Sequence, residues 1–496
     1  MELIYRVKKS RKRWKEKSVA RMAIVSILKK LVRRQWTTVR ELRSRVKDLE
    51  NKLAQRPEAQ PAPPVPTHSK EQTRTLCVIL VIHGVISFRS APRILRTLLS
   101  FGLLAEDAWI PHFTSVIHWV LRLGLCRLKA VSRQAQRWIA IVDCSIDVGV
   151  QKALVVLRVN LDALAKREGA LTLADVQCVG LKIGSTWNGE TVQRTLTEIF
   201  ERAGKPDGIL KDGGTDLNKG VTLWREENSA KQTWPIADIG HVIANALKAE
   251  FSGLKAFEQF LEVVSRGSSR IRQTVLAILM PPKIRTKGRF QSISRVADWA
   301  EKMLEMISGA GRAPEQSVTT RLRRAFEGLS AQRAFIERLQ MECRIASQVM
   351  ALLKNQGLNQ ATYRKAKELI RPLPERSVLK VRVEEWLDRH LRIQSRLGMG
   401  QQALAVSSDI IESLFGKFKI TLQRSPLAEM TSMVLALPAL CGTVGAVDVQ
   451  AALQQVSHQD LQTWTKANIP PTMQQFRRQT FDLRRGEWVP EIGKYG

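Results

Sequence analysis

Trp138-Ile-Ala-Ile-Val-Asp143 is an apolar run of strand length that ends on a carboxylate. Consecutive apolar residues rich in β-branched side chains fit a strand buried on both faces, and the terminal aspartate then lies at the edge of a sheet. A second run of this kind, Gly208-Ile-Leu-Lys-Asp212, ends on another aspartate and continues into Gly213-Gly214. The third acid, Glu412, stands in Ser407-Ser-Asp-Ile-Ile-Glu412-Ser-Leu-Phe-Gly-Lys-Phe-Lys419, which reads as a helix. Two strand-end aspartates and one helical glutamate can converge on a pair of Mg²⁺ ions, with Mn²⁺ able to substitute. Hard cations take carboxylate oxygens from separate rigid elements, and phosphoryl transfer is the chemistry such a pair serves.

Each acid has a bland competitor. A strand-end aspartate such as Asp143 is commonly a turn residue, and Asp147 lies four positions on. After Asp212, either Thr215 or Asp216 could cap the next helix, leaving Asp212 as a turn residue and Asp216 as its rival. Glu412 competes with Glu384, Glu385 and Asp409, and a helical glutamate is ordinarily solvated.

Outward from these runs, residues 137–250 alternate strands and helices. Strands are expected at 138–143, 152–159, 176–183, 207–212 and 233–238, and helices at 188–203, 215–228 and about 239–250. Three strands in succession, then helix, strand, helix, strand, imply a mixed sheet with helices against it. Residues 251–404 carry Leu, Ile, Val and Met at three- and four-residue spacing with many cations between, the pattern of a helical insertion. The Glu412 helix occupies 405–425, and 426–496 is a helical, then basic tail.

Upstream, residues 1–56 hold 19 Lys/Arg against 5 Asp/Glu. Leu28, Val32, Gln35, Val39, Leu42, Val46, Leu49 and Leu53 recur at alternating four- and three-residue steps, the seam of a coiled coil, so a homodimer or higher homo-oligomer is expected. Residues 57–69 form a proline-rich linker that cannot continue the helix. Residues 70–132 read as short helices punctuated by Pro92, Gly102, Pro111 and Gly124. They are compatible with a helix-turn-helix that presents Thr114, Ser115 and His118 to DNA, or with a small helical packing domain.

Over the whole chain of 496 residues, 79 Lys/Arg against 46 Asp/Glu give a formal charge of +33. Such an excess favours a polyanionic partner, with double-stranded DNA the default and an anionic membrane surface the alternative. No apolar run reaches eighteen residues and no apolar signal core opens the chain, so a soluble intracellular protein, nucleoid-associated or nuclear, is expected. Six scattered cysteines without a CxxC pair suggest neither a disulfide framework nor a zinc site.

The order of elements, with Asp143 on the first strand, Asp212 ending the fourth and Glu412 on a late helix, resembles the RNase H-like core of DDE transposases and retroviral integrases. The resemblance covers about 137–250 and 405–425. Asp238-Ile-Gly-His241, just after the fifth strand, is similar to the Cys/Asp-x-x-His signature of several transposase superfamilies. Lys419 falls where such families often carry a cation on the catalytic helix. Asp212 and Glu412 are 200 residues apart, far more than in integrases. The chain therefore resembles the hAT-type and related transposases, with a helical domain inserted before the last acid.

The resemblance implies an α/β RNase H-like catalytic core with a large all-α insertion. It also implies a two-metal polynucleotidyl transferase that nicks element ends and joins them to target DNA. Asp143, Asp212 and Glu412 would be the metal ligands, with Asp238, His241 and Lys419 orienting ligands or phosphate. Within the insertion, Lys283, Arg285, Lys287 and Arg289 read as a phosphate-contacting loop. Trp299 is either core or a platform for an extruded base. Two rivals remain: a non-catalytic DNA-binding protein on a transposase scaffold, and a structure-selective nuclease of the same fold.

Overall fold

In a computed structural model of the chain, the run from Trp138 is the central strand of a five-stranded mixed sheet. The structure describes residues 35–471 except 49, 52–68, 135, 149–150, 166–168, 229–232, 284–289, 291–292, 309–316 and 423–429. The strands are β1 (Trp138–Val148), β2 (Gln151–Asn160), β3 (Gln177–Gly184), β4 (Gly208–Lys211) and β5 (Trp234–Ala237). They lie in the order β3-β2-β1-β4-β5. The β1–β2 and β2–β3 pairs are antiparallel, and β1–β4 and β4–β5 are parallel.

One boundary differs from the sequence reading. β1 runs five residues past Asp143, because beyond it the chain folds back as a hairpin on β2, with a register shift between Asp143 and Ile146. Residues 144–148 do not continue the apolar run, so its end looked like the strand's end. A bulge beside a carboxylate re-aims the chain at that point.

Two chain units are distinguished, residues 1–65 with 306–325 and residues 66–305 with 326–496. In the first, helix α1 covers 35–48 and leaves Val39, Leu42 and Val46 of the seam largely exposed. Leu28, Val32, Leu49 and Leu53 lie outside the described residues.

In the second unit, α2 (Lys70–Ile82), α3 (Ser90–Ser100) and α4 (Phe113–Lys129) form where short helices were expected. After the short α5 (Leu161–Ala165), the sheet helices are α6 (Gly189–Ala203), α7 (Thr215–Glu227) and α8 (Ile239–Phe251). The insertion contributes α9 (Lys255–Ile271), α10 (Ile293–Ser308), α12 (Arg333–Gln356), α13 (Gln360–Ile370) and α14 (Val378–Arg396), while α11 (Val318–Ala325) and the last three residues of α10 belong to the first unit. The Glu412 helix is α15 (Asp409–Leu422), followed by α16 (Ala436–Ala439), α17 (Ala446–Gln455) and α18 (His458–Asn468).

Helices α6 and α7 cover one face of the sheet. Trp138, Ala140 and Val142 of β1 meet Leu196, Phe200, Val221 and Trp224 in a single buried cluster. Phe200 stands edge-on to both Trp138 and Trp224, at 5.8 and 4.9 Å between ring centres. Each such aromatic pair contributes about 1 kcal/mol beyond its area. Gly220 lets α6 and α7 touch, since a Cβ there would stand 2.4 Å from Val192. Ile139 and Ile141 of β1 are equally buried on the opposite face, which explains the uninterrupted apolar run.

The helices of 70–129 pack against those that follow α15. α4 packs against α16, α17 and α18 as well as α2, and a Cβ on Gly124 would collide with the Leu435 carbonyl. The helices of residues 70–132 thus pack into one layer with those of 430–468. A period of 3.6 shows that a helix has an apolar stripe, not which helix covers it.

Candidate active site

β1 and β4 run parallel with Ile141 opposite Leu210 and Val142 opposite Lys211. The next residue on each is Asp143 and Asp212, so the register carries the two carboxylates to the same level of neighbouring strands, which lie about 4.8 Å apart. Each is oriented by its own backbone. Asp143 Oδ1 accepts the Cys144 N–H at 2.6 Å, and Asp212 Oδ1 accepts the Gly214 N–H at 3.0 Å. Asp143 is buried and Asp212 half-buried.

Neither Thr215 nor Asp216 caps α7. The N-cap is Gly214, with no side-chain cap bond, and Asp216 is exposed in the first turn. Asn218, which the sequence reading missed, holds the loop instead. Its Nδ2 donates to the Gly213 carbonyl at 3.1 Å, and its Oδ1 accepts from Lys211 Nζ.

Asp238 does more than its motif suggests. It is the N-cap of α8, accepting the His241 N–H at 2.9 Å on Oδ1. Its Oδ2 accepts the Ser408 N–H at 2.6 Å and the Ser408 hydroxyl at 2.9 Å. One buried carboxylate thus ties the end of β5 to the start of α15 across the whole insertion. The Ile239 N–H reinforces the tie by donating to the Val406 carbonyl at 3.0 Å. Burial alone would raise the Asp238 pKa, but the bonds from His241 and Ser408 outweigh it and hold the carboxyl down to about 2.

His241 Nδ1 lies 3.3 Å from Asp238 Oδ1. The hydrogen bond to Asp238 raises the His241 pKa against the opposing effect of burial. The charges of Asp238, Asp212 and Asp143 raise it further, so the imidazole shares one electrostatic neighbourhood with Asp143 and Asp212. A Cβ on Gly213 would stand 3.7 Å from His241 Cβ, which sets the Asp212 loop directly against α8.

Glu412 comes from the other side. α15 contacts β1 and buries Ile411, Leu414, Phe415 and Phe418. That leaves Glu412, Gly416 and Lys419 on the exposed face at i, i+4, i+7 spacing. Lys419 is about 10.5 Å along the helix from Glu412 at 1.5 Å per residue. Glu412 lines a cavity of about 190 Å³ with Asp238, His241, Lys354 and Asp409. Asp409 is taken up by an ion pair with Lys354 at 2.6 Å, and Glu384 lies 3.7 Å from Lys367.

The donor chemistry at the sheet edge, two aspartates in register, suits a hard divalent cation. Among the described residues, no three His, Cys, Asp or Glu side chains close into a metal-holding group. The structure therefore brings Asp143 and Asp212 together and places Glu412 in the adjoining cleft with Asp238 and His241.

The remaining expected site residues lie elsewhere. Trp299 is half-buried, donates its indole N–H to the Leu279 carbonyl at 2.9 Å and meets Phe326 edge-on at 5.2 Å. Lys283 is exposed, while Arg285, Lys287 and Arg289 lie outside the described residues. Thr114 Oγ1 bonds His112 Nδ1 at 2.8 Å, and Ser115 is half-buried. His118 stacks on His458 of α18 at 4.5 Å, so the start of α4 is partly engaged by the C-terminal helices.

No protein-family model and no curated protein matches the chain. Among solved structures, the chain is similar to a Drosophila P element transposase strand transfer complex, at 11% identity and a TM-score of 0.39. That match covers 81% of this chain and 97% of the other. No helix among the described residues is long and apolar enough to cross a membrane.

Proposed function

We propose that the chain is a DDE-type DNA transposase, built on an RNase H-like core. The observation that carries this reading is the register of β1 and β4, which delivers Asp143 and Asp212 side by side at one sheet edge. The Asp238–Ser408 tie supports it by fixing the Glu412 helix beside that edge. The net charge of +33 supports DNA as the polyanion.

Asp143, Asp212 and Glu412 are the residues proposed to hold two Mg²⁺ ions. When bound, the ions would favour the deprotonated nucleophile and offset charge on the leaving oxygen. The protein's own part is positioning. Gly214 and Cys144 N–H groups orient the aspartates, Asp238 orients α15, and His241, whose pKa Asp238 raises, lies beside them where its protonated form would donate to phosphate.

The test is strand nicking in Mg²⁺ or Mn²⁺. Asp143→Asn, Asp212→Asn and Glu412→Gln should each lose nicking at least about 100-fold, while DNA binding changes little because cations elsewhere carry it. Full activity in any one variant removes that residue from the site.

The second reading, a DNA-binding protein without chemistry, rests on the same net charge of +33, which favours DNA binding with or without catalysis. Intact DNA binding with no nicking by the unaltered protein would support it.

A further inference from the structure

Lys211 and Asp212 are consecutive, and Lys211 opens onto a second cleft that the active-site reading does not use. This cleft, of about 570 Å³, runs along the outer edge of β5 between α7 and α14. Lys211, Arg225, Arg389, Arg392 and Arg396 line it together with Trp234, and no carboxylate does. We propose that it is a seat for the phosphate backbone of nucleic acid, separate from the carboxylate edge and starting directly behind it.

The cations are unspent. Lys211 is more than nine-tenths buried, yet its ammonium bonds only the neutral amide of Asn218. Arg225 and Arg392 donate Nε to backbone carbonyls, those of Thr233 and Asp388. Arg396 places its Cζ over the Trp234 ring, 4.7 Å from the ring centre. Among the described residues none of the five forms an ion pair. Burial disfavours the Lys211 ammonium and Arg225 adds repulsion, which the adjacent Asp212 carboxylate offsets only in part, so an anion in the cleft would relieve the rest.

The spacing selects the kind of anion. Arg389, Arg392 and Arg396 fall at i, i+3 and i+7 on one exposed face of α14. They form a row about 10.5 Å long at 1.5 Å per residue. A strand with one phosphate per roughly 3.4 Å of duplex rise presents about three charges over that length. A free phosphate or a small nucleotide would not engage the whole row.

The wall that carries the row is firmly set. Trp386 Nε1 donates to the Ala237 carbonyl at 3.0 Å, and His390 Nε2 accepts the Ala237 N–H at 3.0 Å. These two side chains satisfy the free edge of β5, so α14 is fixed against the sheet and the arginine row is held in register with it.

This inference rests on the nucleic-acid reading of the chain but not on its chemistry. The test uses full-length protein carrying Asp212→Asn, which removes strand cleavage from the readout. Binding of a fluorescent 30-base-pair duplex is followed against salt concentration. Replacing Arg389, Arg392 and Arg396 together by Gln should weaken binding at least tenfold and reduce the log–log salt slope by about 2–3, at roughly 0.9 per contact. Replacing them by Lys should restore most of the slope. Replacing Arg364, Lys365 and Arg376, three exposed cations outside the cleft, by Gln should change the slope by less than about 1. Equal effects of the two Gln triples would overturn the seat, as would cleft-dependent binding to phosphatidylserine vesicles but not to DNA. Tight, salt-dependent DNA binding that both Gln triples leave unchanged would overturn the seat while leaving the nucleic-acid reading intact.

Discussion

The two sides of the β4 terminus make opposite use of adjacent residues. On one, Asp143 and Asp212 are gathered by strand register and steadied by backbone N–H groups, with His241, whose pKa Asp238 raises, nearby. On the other, Lys211 and a row of arginines line a cleft that no carboxylate enters. The acidic edge is assembled from parts far apart in sequence, and the cationic cleft from one helix face laid along a sheet edge. The acids therefore depend on long-range ties, whereas the cations depend on how α14 docks. This difference can be broken experimentally one side at a time.

The largest effect is expected at Asp238, whose carboxylate joins β5, α8 and α15. Asp238→Ala leaves the Ser408 and His241 N–H groups without their buried acceptor, a loss of about 3–5 kcal/mol for two or three charge-assisted bonds. Chemical denaturation should show the drop, and Asp238→Asn, which keeps one acceptor oxygen, should lose less. DNA binding by the folded fraction should persist. A stability equal to that of the unaltered protein would show that the insertion does not hang on this residue.

The cationic side has its own weak point, in pH. Burial pushes the His390 pKa down from 6.5 to about 4, so the folded state keeps the ring neutral where the unfolded chain would protonate it. The unfolded state then binds more protons, and stability is full above about pH 6.5 and is lost as pH falls towards 4. Between pH 7.5 and 4.5 this amounts to about 2–3 kcal/mol at 1.36 kcal/mol per pKa unit. His390→Gln should remove that part of the acid sensitivity. An unchanged gap between the two proteins at pH 7.5 and 4.5 would refute the neutral, accepting imidazole.

A smaller effect is expected at Lys419. Its ammonium is exposed on the Glu412 face of α15, two turns from the acid. Lys419→Ala should weaken DNA binding by only a few-fold and lower the salt slope by about 1, with nicking retained. Loss of nicking at saturating DNA would place Lys419 in the chemistry instead of in binding.

The sheet was legible because its strands are buried on both faces: Ile139 to Val142 and Ile209 to Leu210 leave no helical alternative of that length. All five strands and the three helices following β3, β4 and β5 form within a few residues of their expected places, the hairpin beyond Asp143 excepted. Asp143 and Asp212 stand out in the sequence as the ends of apolar runs, although β1 itself continues past Asp143, and Asp238 stands out as part of a motif. What was not legible is contact at long range. Nothing in the local pattern reveals that Ser408 meets Asp238, that Trp386 and His390 close the edge of β5, or that α4 is covered by α16 to α18. The arginine row on α14 reads in sequence as an ordinary solvated face, and only its docking beside Lys211 makes it a cleft.

The most direct measurement for the whole account is DNA joining. Purified protein is mixed with a pre-cut duplex end bearing a free 3′-hydroxyl, a supercoiled target and Mg²⁺ or Mn²⁺. The account predicts a covalent end-to-target product that disappears with chelator and with each of Asp143→Asn, Asp212→Asn and Glu412→Gln. Using an end taken from inverted repeats flanking the coding region, nicking without joining would point to a nuclease. Tight DNA binding with neither nicking nor joining would contradict the account and leave a protein that only binds.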